Sequence, residues 1–495
     1  METIRDMENR SYINGRWVDG DDGTFDVINP ATGEILRSVQ QVSGAQVDEA
    51  IVAARRAFAS WSARSPLERA QYMRRIAALA RRDAERLARV VVIEQGKTIR
   101  EARGEVAATA EFFDYFAEFA RRIQGEILPS DFAGEQIWIQ RVALGVVGAI
   151  IPWNYPSVLV ARKVAPAMIV GDTIVLKPHE MTPLSALEMA RIFDEAGVPA
   201  GVVNIVNGVG RCVGEALTAA PGIDMLTMTG SVPTGKRIMA AAAANLTPVS
   251  LELGGKAPFI VMADSDLDVA VRSAVTSRFM NCGQVCICNE RTLVQRDVYD
   301  AFLERFVAAT RNLKVGMPLD ERTDMGPKVS RGELDKVHAL VEEAIDMGAT
   351  VAYGGGRPAD APNAGGYWYS PTVLTGLDAG MPVMQREIFG PVVPIVPFDT
   401  LDEALAIANG SRYGLSAYLF TNDVRAIMRA VNELESGEVY VNRVGPESLQ
   451  GFHGGYGDSG VGGDDGMHGL EAYLRKKTIY LNYSGAPTAP IADAC

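Results

Sequence analysis

Cysteine is scarce in this chain. Its 495 residues include five cysteines, and a small, odd number excludes the disulfide framework that stabilises small secreted domains. Three of the five, Cys282, Cys286 and Cys288, nevertheless fall within seven residues. This cluster calls for a chemical or a packing explanation.

Long runs of positive charge and of apolar residues are also missing. The formal net charge is −13, and without clustered Lys and Arg we expect no nucleic-acid partner. The longest apolar stretch, near residues 142–153, is interrupted by Gly145 and Gly148 and is too short to cross a bilayer. The polar N-terminus METIRDMENRSYING lacks a signal core. We therefore expect a cytoplasmic protein with no membrane partner.

The length and composition indicate a multidomain globular protein. Apolar residues make up 47% and charged residues 22%, which is typical of soluble domains. A chain of 495 residues is too long for one small core, so two or three domains are expected.

The first part of the chain predicts three helices. Ser43 and Gln46 have the spacing of a capping box before the first helix. A second helix is predicted from Ser65 to about residue 94 and a third over about residues 99–122, each with apolar residues at helical spacing.

From Leu144 onward, short apolar strands alternate with helices. Continuous apolar strands of this kind indicate a parallel sheet that is covered on both faces, and ligands bind such sheets at the carboxyl ends of the strands. The strand segments are LGVVGAII, TIVLK, VVNIV, DMLTM and PVSLE. Polar residues follow them: Asn154 after the first, Lys177 and Glu180 after the second, Ser231 after the fourth and Glu252 at the end of the fifth.

A second alternating set follows and predicts a second α/β domain. Its strands are PFIVM, RTLVQ, VVPIVPF, SAYLF and EVYVN. We assign residues 1–123 and 145–253 to the first domain and residues 254–455 to the second. The segment 124–144 resembles a hairpin, residues 470–484 include a lone strand near 477–483, and residues 485–495 are predicted to be a flexible tail.

The cysteine cluster FMNCGQVCIC, residues 279–288, allows three interpretations. A cysteine in such a turn can be a nucleophile, a metal ligand or a small core residue. The spacing C-x3-C-x-C is not common for zinc, and no second Cys or Cys-His pair lies nearby to complete a tetrahedral shell. We therefore predict no metal site, and leave nucleophile and core residue open.

Three other segments have polar side chains beside apolar or turn residues. In PWNYP, the amide of Asn154 is either a fixed hydrogen-bond donor or part of a simple turn. In LELGGK, Glu252 ends an apolar strand, where burial would raise its pKa towards that of a general base, unless backbone N–H groups bind it. In REIFGP, Glu387 is an isolated acid beside an apolar turn.

Taken together, PWN, LELGGK, GQVC and EIFGP in this order resemble the aldehyde dehydrogenase superfamily. The resemblance extends from YINGRWV to SGVGG and GLEAY, essentially the whole chain. It implies an α/β fold with a Rossmann-like NAD-binding domain, a second α/β catalytic domain and a small β oligomerisation element made of residues 124–144 and 470–484. It also implies a homo-oligomer, a dimer or tetramer, with homotetramer preferred.

The resemblance implies a covalent mechanism. The Cys286 thiolate would attack the aldehyde carbon, and after hydride transfer to the nicotinamide a thioester would remain. The side chain of Asn154 and the backbone N–H of Cys286 would hold the oxyanion. Glu252 would activate the hydrolytic water.

The resemblance also assigns a cofactor site. Glu387 would bind the nicotinamide ribose, and Lys177 with Glu180 the adenosine ribose. Ser231 would meet the pyrophosphate at a helix N-terminus, with Trp153 and Gly230 also on the cofactor. Because a carboxylate at Glu180 would repel a 2′-phosphate, we predict NAD rather than NADP.

Within the superfamily the chain resembles bacterial lactaldehyde and glycolaldehyde dehydrogenases. The similarity lies in LVARKVAP, CGQVCIC, YVNR and QGFHGGYGDSGVGGDDGMHGLEAYL. It implies that Arg162, Glu447 and His453 face a small hydroxylated or acidic aldehyde, although each could equally be loop structure. Two residues depart from that subgroup: Ile287 stands where it has Asn, and Asp458 where it has Lys.

The substrate prediction weighs these residues against each other. Three polar groups favour a lactaldehyde-like, glycolaldehyde-like or semialdehyde substrate, whereas the apolar Ile287 beside the thiolate favours an apolar or aromatic one. We predict the polar class and keep the other as the alternative. An acylating, CoA-dependent enzyme and a non-catalytic binding protein are disfavoured by the presence of Glu252 and Cys286.

Overall fold

A computed structural model describes residues 7–485 of the chain. The predicted tail, residues 485–495, lies outside the described residues except for Gly485. The elements of the N-terminal part are β1 (Ser11–Ile13), β2 (Arg16–Val18), β3 (Thr24–Ile28), β4 (Ile35–Gln40), α1 (Gly44–Ser62), α2 (Pro66–Arg82), α3 (Ala84–Gln95) and α4 (Ile99–Ala117).

Capping boxes start the first helices as the sequence predicts. Ser43 accepts a hydrogen bond from the N–H of Gln46 while the Gln46 side chain accepts one from the N–H of Ser43, and α2 and α4 begin in the same way. Each box satisfies donors that the first helical turn leaves free, a contribution of about 1 kcal/mol.

The predicted second helix is wrong in one respect, because it is two helices with a break at Asp83. This residue leaves helical geometry with φ −98° and ψ 15°. Its carboxylate binds the Arg82 guanidinium through two hydrogen bonds of 2.7 Å, and a short polar side chain of this kind is a poor helix former. The third helix ends at Ala117 and continues as one 3₁₀ turn, Glu118–Arg121.

The first large sheet contains the five predicted strands of residues 144–252. It has the order β2-β1-β9-β8-β7-β10-β11-β21, where β21 is the C-terminal strand Gly460–Val461, and its five central strands are parallel. Strand order reverses between β7 and β10, and ligands bind such sheets at this point. The new elements are β5 (Glu126–Pro129), β6 (Glu135–Ala143), β7 (Val146–Ile150), α5 (Val158–Val170), β8 (Thr173–Lys177), α6 (Leu184–Glu195), β9 (Val203–Ile205), α7 (Glu215–Ala219), β10 (Met225–Thr229), α8 (Val232–Ala242) and β11 (Val249–Glu252).

The second large sheet confirms the second alternating set. Its order is β14-β15-β16-β13-β12-β18-β19, with β14 antiparallel and the others parallel. The elements of this part of the chain are β12 (Ala257–Val261), α9 (Leu267–Phe279), β13 (Asn289–Gln295), α10 (Arg296–Arg311), α11 (Arg331–Asp346), β14 (Thr350–Tyr353), β15 (Thr372–Thr375), α12 (Pro382–Gln385), β16 (Val392–Phe398), α13 (Leu401–Asn409), β17 (Tyr413–Gly414), β18 (Ser416–Phe420), α14 (Val424–Glu433) and β19 (Glu438–Val441).

The C-terminal segment adds one strand to the first large sheet and one to the β5–β6 hairpin. Its elements are β20 (Tyr456–Gly457), β21 (Gly460–Val461), α15 (Gly466–Glu471) and β22 (Leu474–Asn482). Strand β21 joins the first sheet beside β11. The expectation of a lone strand is wrong, since β22 pairs antiparallel with β6 along its whole length and forms a three-stranded sheet with the β5–β6 hairpin.

The α/β fold is therefore as predicted, with two large sheets, a separate three-stranded sheet and two two-stranded sheets, β3-β4 and β17-β20. The domain boundaries at residues 123, 144 and 253 remain predictions. Of the helices in residues 7–485, none has the length and apolar character needed to cross a membrane.

Candidate active site

A cavity of about 840 Å³ lies at the carboxyl edge of the first sheet. Residues that follow β7, β10 and β11 line it, as does the cysteine turn after α9. Eleven of the predicted site residues line this cavity: Trp153, Asn154, Arg162, Gly230, Ser231, Glu252, Cys286, Ile287, Glu387, Glu447 and His453.

The turn before Cys286 is built from three successive residues in left-handed conformation. Asn281, Cys282 and Gly283 have φ values of 49°, 55° and 68°. A Cβ on Gly283 would stand 2.2 Å from the carbonyl oxygen of Gly390, so only glycine fits there. The turn brings the backbone round so that Cys286 reaches the cavity.

The three clustered cysteines differ in exposure and acidity. Cys282 and Cys288 are buried, and burial raises the pKa of each thiol to about 12. Cys286 is partly exposed and lines the cavity. Burial raises its pKa as well, but the imidazole of His453 opposes that rise. Of the three thiols, Cys286 is the one placed to act as a nucleophile.

Asn154 is held by both its side chain and its backbone. Its Nδ2 donates to the carbonyl oxygen of Gln284 at 3.0 Å. Its own carbonyl oxygen accepts from Lys97 Nζ at 2.9 Å and from Asn281 Nδ2 at 3.0 Å. An amide NH₂ carries two donors, so one N–H remains for a group in the cavity.

Glu252 is a buried carboxyl with unused hydrogen-bonding capacity. Within residues 7–485, neither of its carboxyl oxygens has a hydrogen-bond partner. Burial raises its pKa to about 8. The nearest charged group is the imidazole of His453, whose Nε2 lies 3.4 Å from Glu252 Oε2. A carboxyl with this pKa is suited to general base catalysis near neutral pH.

Glu387 is placed by the glycine pair that follows Glu252. The N–H of Gly255 donates to Glu387 Oε1 at 3.0 Å, and burial raises the pKa of this carboxyl to about 8. A Cβ on Gly255 would stand 2.5 Å from the carbonyl oxygen of Cys286. The glycine therefore lets the base strand and the nucleophile turn approach each other.

Glu290 organises the turn that carries Glu387. Its carboxylate accepts hydrogen bonds from the backbone N–H groups of Ile388 and Phe389 at 2.7 and 2.9 Å. It also binds Lys256 Nζ at 2.8 Å. Glu290 was not predicted as a site residue, although an acid directly before the apolar strand RTLVQ is a signal that it is buried and paired.

The other predicted cofactor residues lie on strand and helix ends. Ser231 precedes α8 without a side-chain cap, so the first N–H groups of that helix stay open. Trp153 packs edge to face on Phe389 with ring centroids 5.3 Å apart. Lys177 and Glu180 pair at 3.3 Å, outside the cavity lining.

Arg162 reaches the cavity but is already bound on two sides. Its Nε and one terminal nitrogen contact Asp465 at 3.1 and 2.7 Å, and that same nitrogen contacts Glu447. Burial opposes ionisation of Glu447, yet the Arg162 charge lowers the pKa of Glu447 to about 2. The next residue, Lys163, binds Asp464 at 2.5 Å. The adjacent cations Arg162 and Lys163 thus form ion pairs with the adjacent acids Asp465 and Asp464.

The sequence analysis missed Asp464 and Asp465 although a signal was present. The helix VLVARKVAPAMIV is apolar apart from its basic pair, and buried cations require partners. The acid pair in GGDD is the matching signal in the sequence.

His453 lies at the centre of the polar groups. Its Nδ1 is 3.1 Å from Glu438 Oε1, its Nε2 is 3.4 Å from Glu252 Oε2, and the ring is a hydrogen-bond partner of the Cys286 thiol. Glu438, on β19, is a fourth site residue that was not predicted from the sequence, because strand pairing alone brings it to the site.

Ile287 and Asp458 have different surroundings. Ile287 is buried, lines the cavity and packs against Gly445. Asp458 binds Lys236 at 2.8 Å and Arg412 at 3.6 Å, outside the cavity lining.

Comparisons with known proteins agree with this geometry. The model of the aldehyde dehydrogenase family matches residues 17–479. A 3,6-anhydro-alpha-L-galactose dehydrogenase of Vibrio sp. (strain EJY3) is 46% identical over 473 residues, 95% of this chain and 98% of that protein. A lactaldehyde dehydrogenase of Escherichia coli (strain K12) is 45% identical over 478 residues, 96% and 99% of the two chains. A solved structure of 3,6-anhydro-L-galactose dehydrogenase in complex with NAP has a TM-score of 0.94 and 45% identity, covering 96% of this chain and 99% of that chain.

Proposed function

Because this chain belongs to the aldehyde dehydrogenase family, we propose that it oxidises a small, neutral, hydroxylated aldehyde to its acid with NAD. One observation carries the proposal: a nucleophilic thiol, an amide donor and a carboxyl base line the same cavity, at Cys286, Asn154 and Glu252.

The cavity offers what a nicotinamide cofactor needs. The open N-terminus of α8 beside Ser231 favours a pyrophosphate, and Glu387 carries carboxyl oxygens for a ribose hydroxyl. Trp153 and Gly230 would line the same part of the site. The bound nicotinamide supplies the hydride acceptor.

Acylation is the work of Cys286 and Asn154. The Cys286 thiolate attacks the aldehyde carbon and forms a thiohemiacetal, whose oxygen carries the developing negative charge. The free N–H of Asn154 and the backbone N–H of Cys286 bind that oxygen. Loss of hydride from the same carbon leaves a thioester on Cys286.

Deacylation is the work of Glu252. Its ionised carboxylate takes a proton from water, and the resulting hydroxide attacks the thioester carbon. The acid leaves and the Cys286 sulfur is regenerated. Since this carboxylate can hold a water, transfer to CoA is the disfavoured alternative.

The arrangement around Arg162 argues for a neutral aldehyde. Asp465 and Glu447 place two carboxylates against one guanidinium, so a substrate carboxylate would have to displace an acid that is already bound. Glu447 and His453 can instead accept from or donate to hydroxyl groups. Lactaldehyde and 3,6-anhydrogalactose, which the names of two relatives contain, are hydroxylated and carry no carboxylate.

A substrate panel tests this proposal. We expect kcat/KM with NAD to be at least about tenfold higher for glycolaldehyde and lactaldehyde than for succinate semialdehyde, followed through the absorbance of the reduced nicotinamide. Highest efficiency with the semialdehyde would contradict the argument from Arg162. Highest efficiency with propanal or benzaldehyde would favour the alternative suggested by Ile287, and a requirement for CoA would reject hydrolysis.

NAD is proposed over NADP because of Glu180. Its carboxylate can accept from both ribose hydroxyls, whereas a 2′-phosphate would meet a negative charge. Lys177 pairs with Glu180 at 3.3 Å and reduces that repulsion, so we expect a preference for NAD and not an absolute requirement.

Self-association is proposed through the three-stranded sheet. Four large apolar side chains are exposed there: Ile127, Leu128, Tyr480 and Leu481. Exposed strands with apolar side chains favour pairing with another chain, and we propose a dimer or tetramer. Light scattering after gel filtration should give a smaller species for Ile127→Lys with Tyr480→Lys. The cytoplasmic location remains a prediction.

A further inference from the structure

His453 and Glu438 form a buried pair that reaches both reacting residues of the site. His453 Nδ1 lies 3.1 Å from Glu438 Oε1. On the other side of the ring, Nε2 lies 3.4 Å from Glu252 Oε2. The ring is also a hydrogen-bond partner of the Cys286 thiol, which lines the same cavity. The imidazole is 2% exposed, so its partners are these side chains.

Further hydrogen bonds hold both His453 and Glu438 in position. Tyr440, two residues along β19, donates its hydroxyl to Glu438 Oε2 at 2.9 Å. The backbone of His453 forms a two-hydrogen-bond bridge with Asp464, at 2.9 and 2.7 Å. Strand β19 and the Asp464 segment therefore hold the ring with Nδ1 at Glu438, which leaves Nε2 as the ring nitrogen that can accept the thiol proton.

The charges around the ring favour its protonated form. Burial opposes the imidazolium, but nearby acids outweigh it and raise the pKa of His453 above its usual value. The acids outnumber the two nearby cations, and these cations are already paired, Arg162 with Asp465 and Glu447 and Lys163 with Asp464. The groups that act on the ring from neighbouring elements are Glu447, Glu252, Glu438, Asp465 and the Cys286 thiol. Asp464, Arg162 and Lys163 lie in the next layer around Glu252 and Cys286.

We propose that His453 ionises the Cys286 thiol and that Glu438 is the positioning residue for this step. The Sγ–H bond breaks and its proton joins Nε2 of His453, while Nδ1–H donates to Glu438. A thiolate and an imidazolium result. When the sulfur leaves the acyl carbon at the end of turnover, Nε2–H returns the proton to it.

This role differs from the substrate contact expected for His453 from the sequence. A substrate contact acts only when an aldehyde is bound. Thiol ionisation acts on the free enzyme, and it can be measured with neither aldehyde nor cofactor present. The inference rests on the proposed function in one point, namely that Cys286 is the nucleophile.

The test is the pH dependence of alkylation by iodoacetamide, with modification of Cys286 located by mass spectrometry. His453→Gln should shift the alkylation midpoint upward by about one pH unit or more, so that labelling near neutral pH slows about tenfold. Glu438→Gln should shift it in the same direction by less, because Gln still accepts from Nδ1 but carries no charge. Glu435→Gln is the matched control: it removes an exposed acid three residues away and should leave the midpoint unchanged.

Each outcome separates the inference from the function it rests on. An unchanged midpoint in both His453→Gln and Glu438→Gln, with lower kcat/KM, would overturn the inference and leave His453 as a substrate contact. If His453→Gln does not fold, the conservative Glu438→Gln decides alone. Cys286→Ser tests the proposed function separately. Full activity in that variant would exclude Cys286 as the nucleophile, independently of the role of His453 and Glu438.

Discussion

Replacing Arg162 with Leu should destabilise the protein rather than selectively weaken substrate binding. The guanidinium side chain is 11% exposed, and its partners Asp465 and Glu447 are 0% and 14% exposed. Removing the cation leaves two acids in a water-poor site without the guanidinium that binds both of them. Breaking a buried pair in this way costs about 3–5 kcal/mol.

The same geometry predicts how the loss can be repaired. Replacing Asp465 with Asn in the Arg162→Leu background removes one uncompensated charge and should recover a substantial part of the lost stability. In the wild-type background Asp465→Asn should be destabilising, since it removes an acceptor from Arg162. Asp465→Asn thus changes stability in opposite directions in the two backgrounds. This difference is the coupling free energy between the two contacting residues, which a double-mutant cycle measures.

Thermal unfolding at matched protein concentration is the assay. Large proteins commonly unfold irreversibly, and the proposed self-association would make the transition depend on concentration. We expect Arg162→Leu to lower Tm by several degrees. Lys163→Met should also lower it, since Asp464 loses its cation. An unchanged Tm, with KM raised for hydroxylated aldehydes alone, would refute the argument and restore Arg162 as a substrate ligand.

Four further predictions concern catalysis and the cofactor. Cys286→Ala should abolish activity with NAD binding kept, whereas Cys282→Ala and Cys288→Ala should stay active because their thiols are buried; an active Cys286→Ala would reject the mechanism. Glu252→Gln should give one stoichiometric burst of reduced cofactor and then turnover about 10²-fold below wild type, and unchanged steady-state turnover would remove it as the base. Because burial raises the pKa of Glu252 to about 8, the deacylation rate in single-turnover experiments should rise with pH through that value, and a fall there would contradict the base role. Glu180→Gln should raise kcat/KM with NADP relative to NAD, and no change would place the adenosine ribose elsewhere.

Local patterns in the sequence were sufficient to predict the helices and strands and to place several site residues at strand ends. Capping boxes join residues three apart, and apolar strand runs reflect burial on both faces of one element, so both can be read from short segments. The strands TIVLK, VVPIVPF and SAYLF have the predicted bounds. The positions of Asn154 and Glu252 at strand ends follow from the same reasoning.

Contacts between distant segments were decided only by the tertiary structure. Arg162 and Asp465 are 303 residues apart, and no local pattern reveals that the predicted substrate ligand already has two acids bound to it. The pairing of β22 with β6 and the meeting of Glu438, His453 and Cys286 have the same origin. Periodicity reports which face of one element is buried, whereas the neutralisation of a charge depends on which other element packs against that face. The sequence therefore determined which reactive groups the site contains. The fold decided which of its charged groups are neutralised by partners and which remain free to bind a substrate.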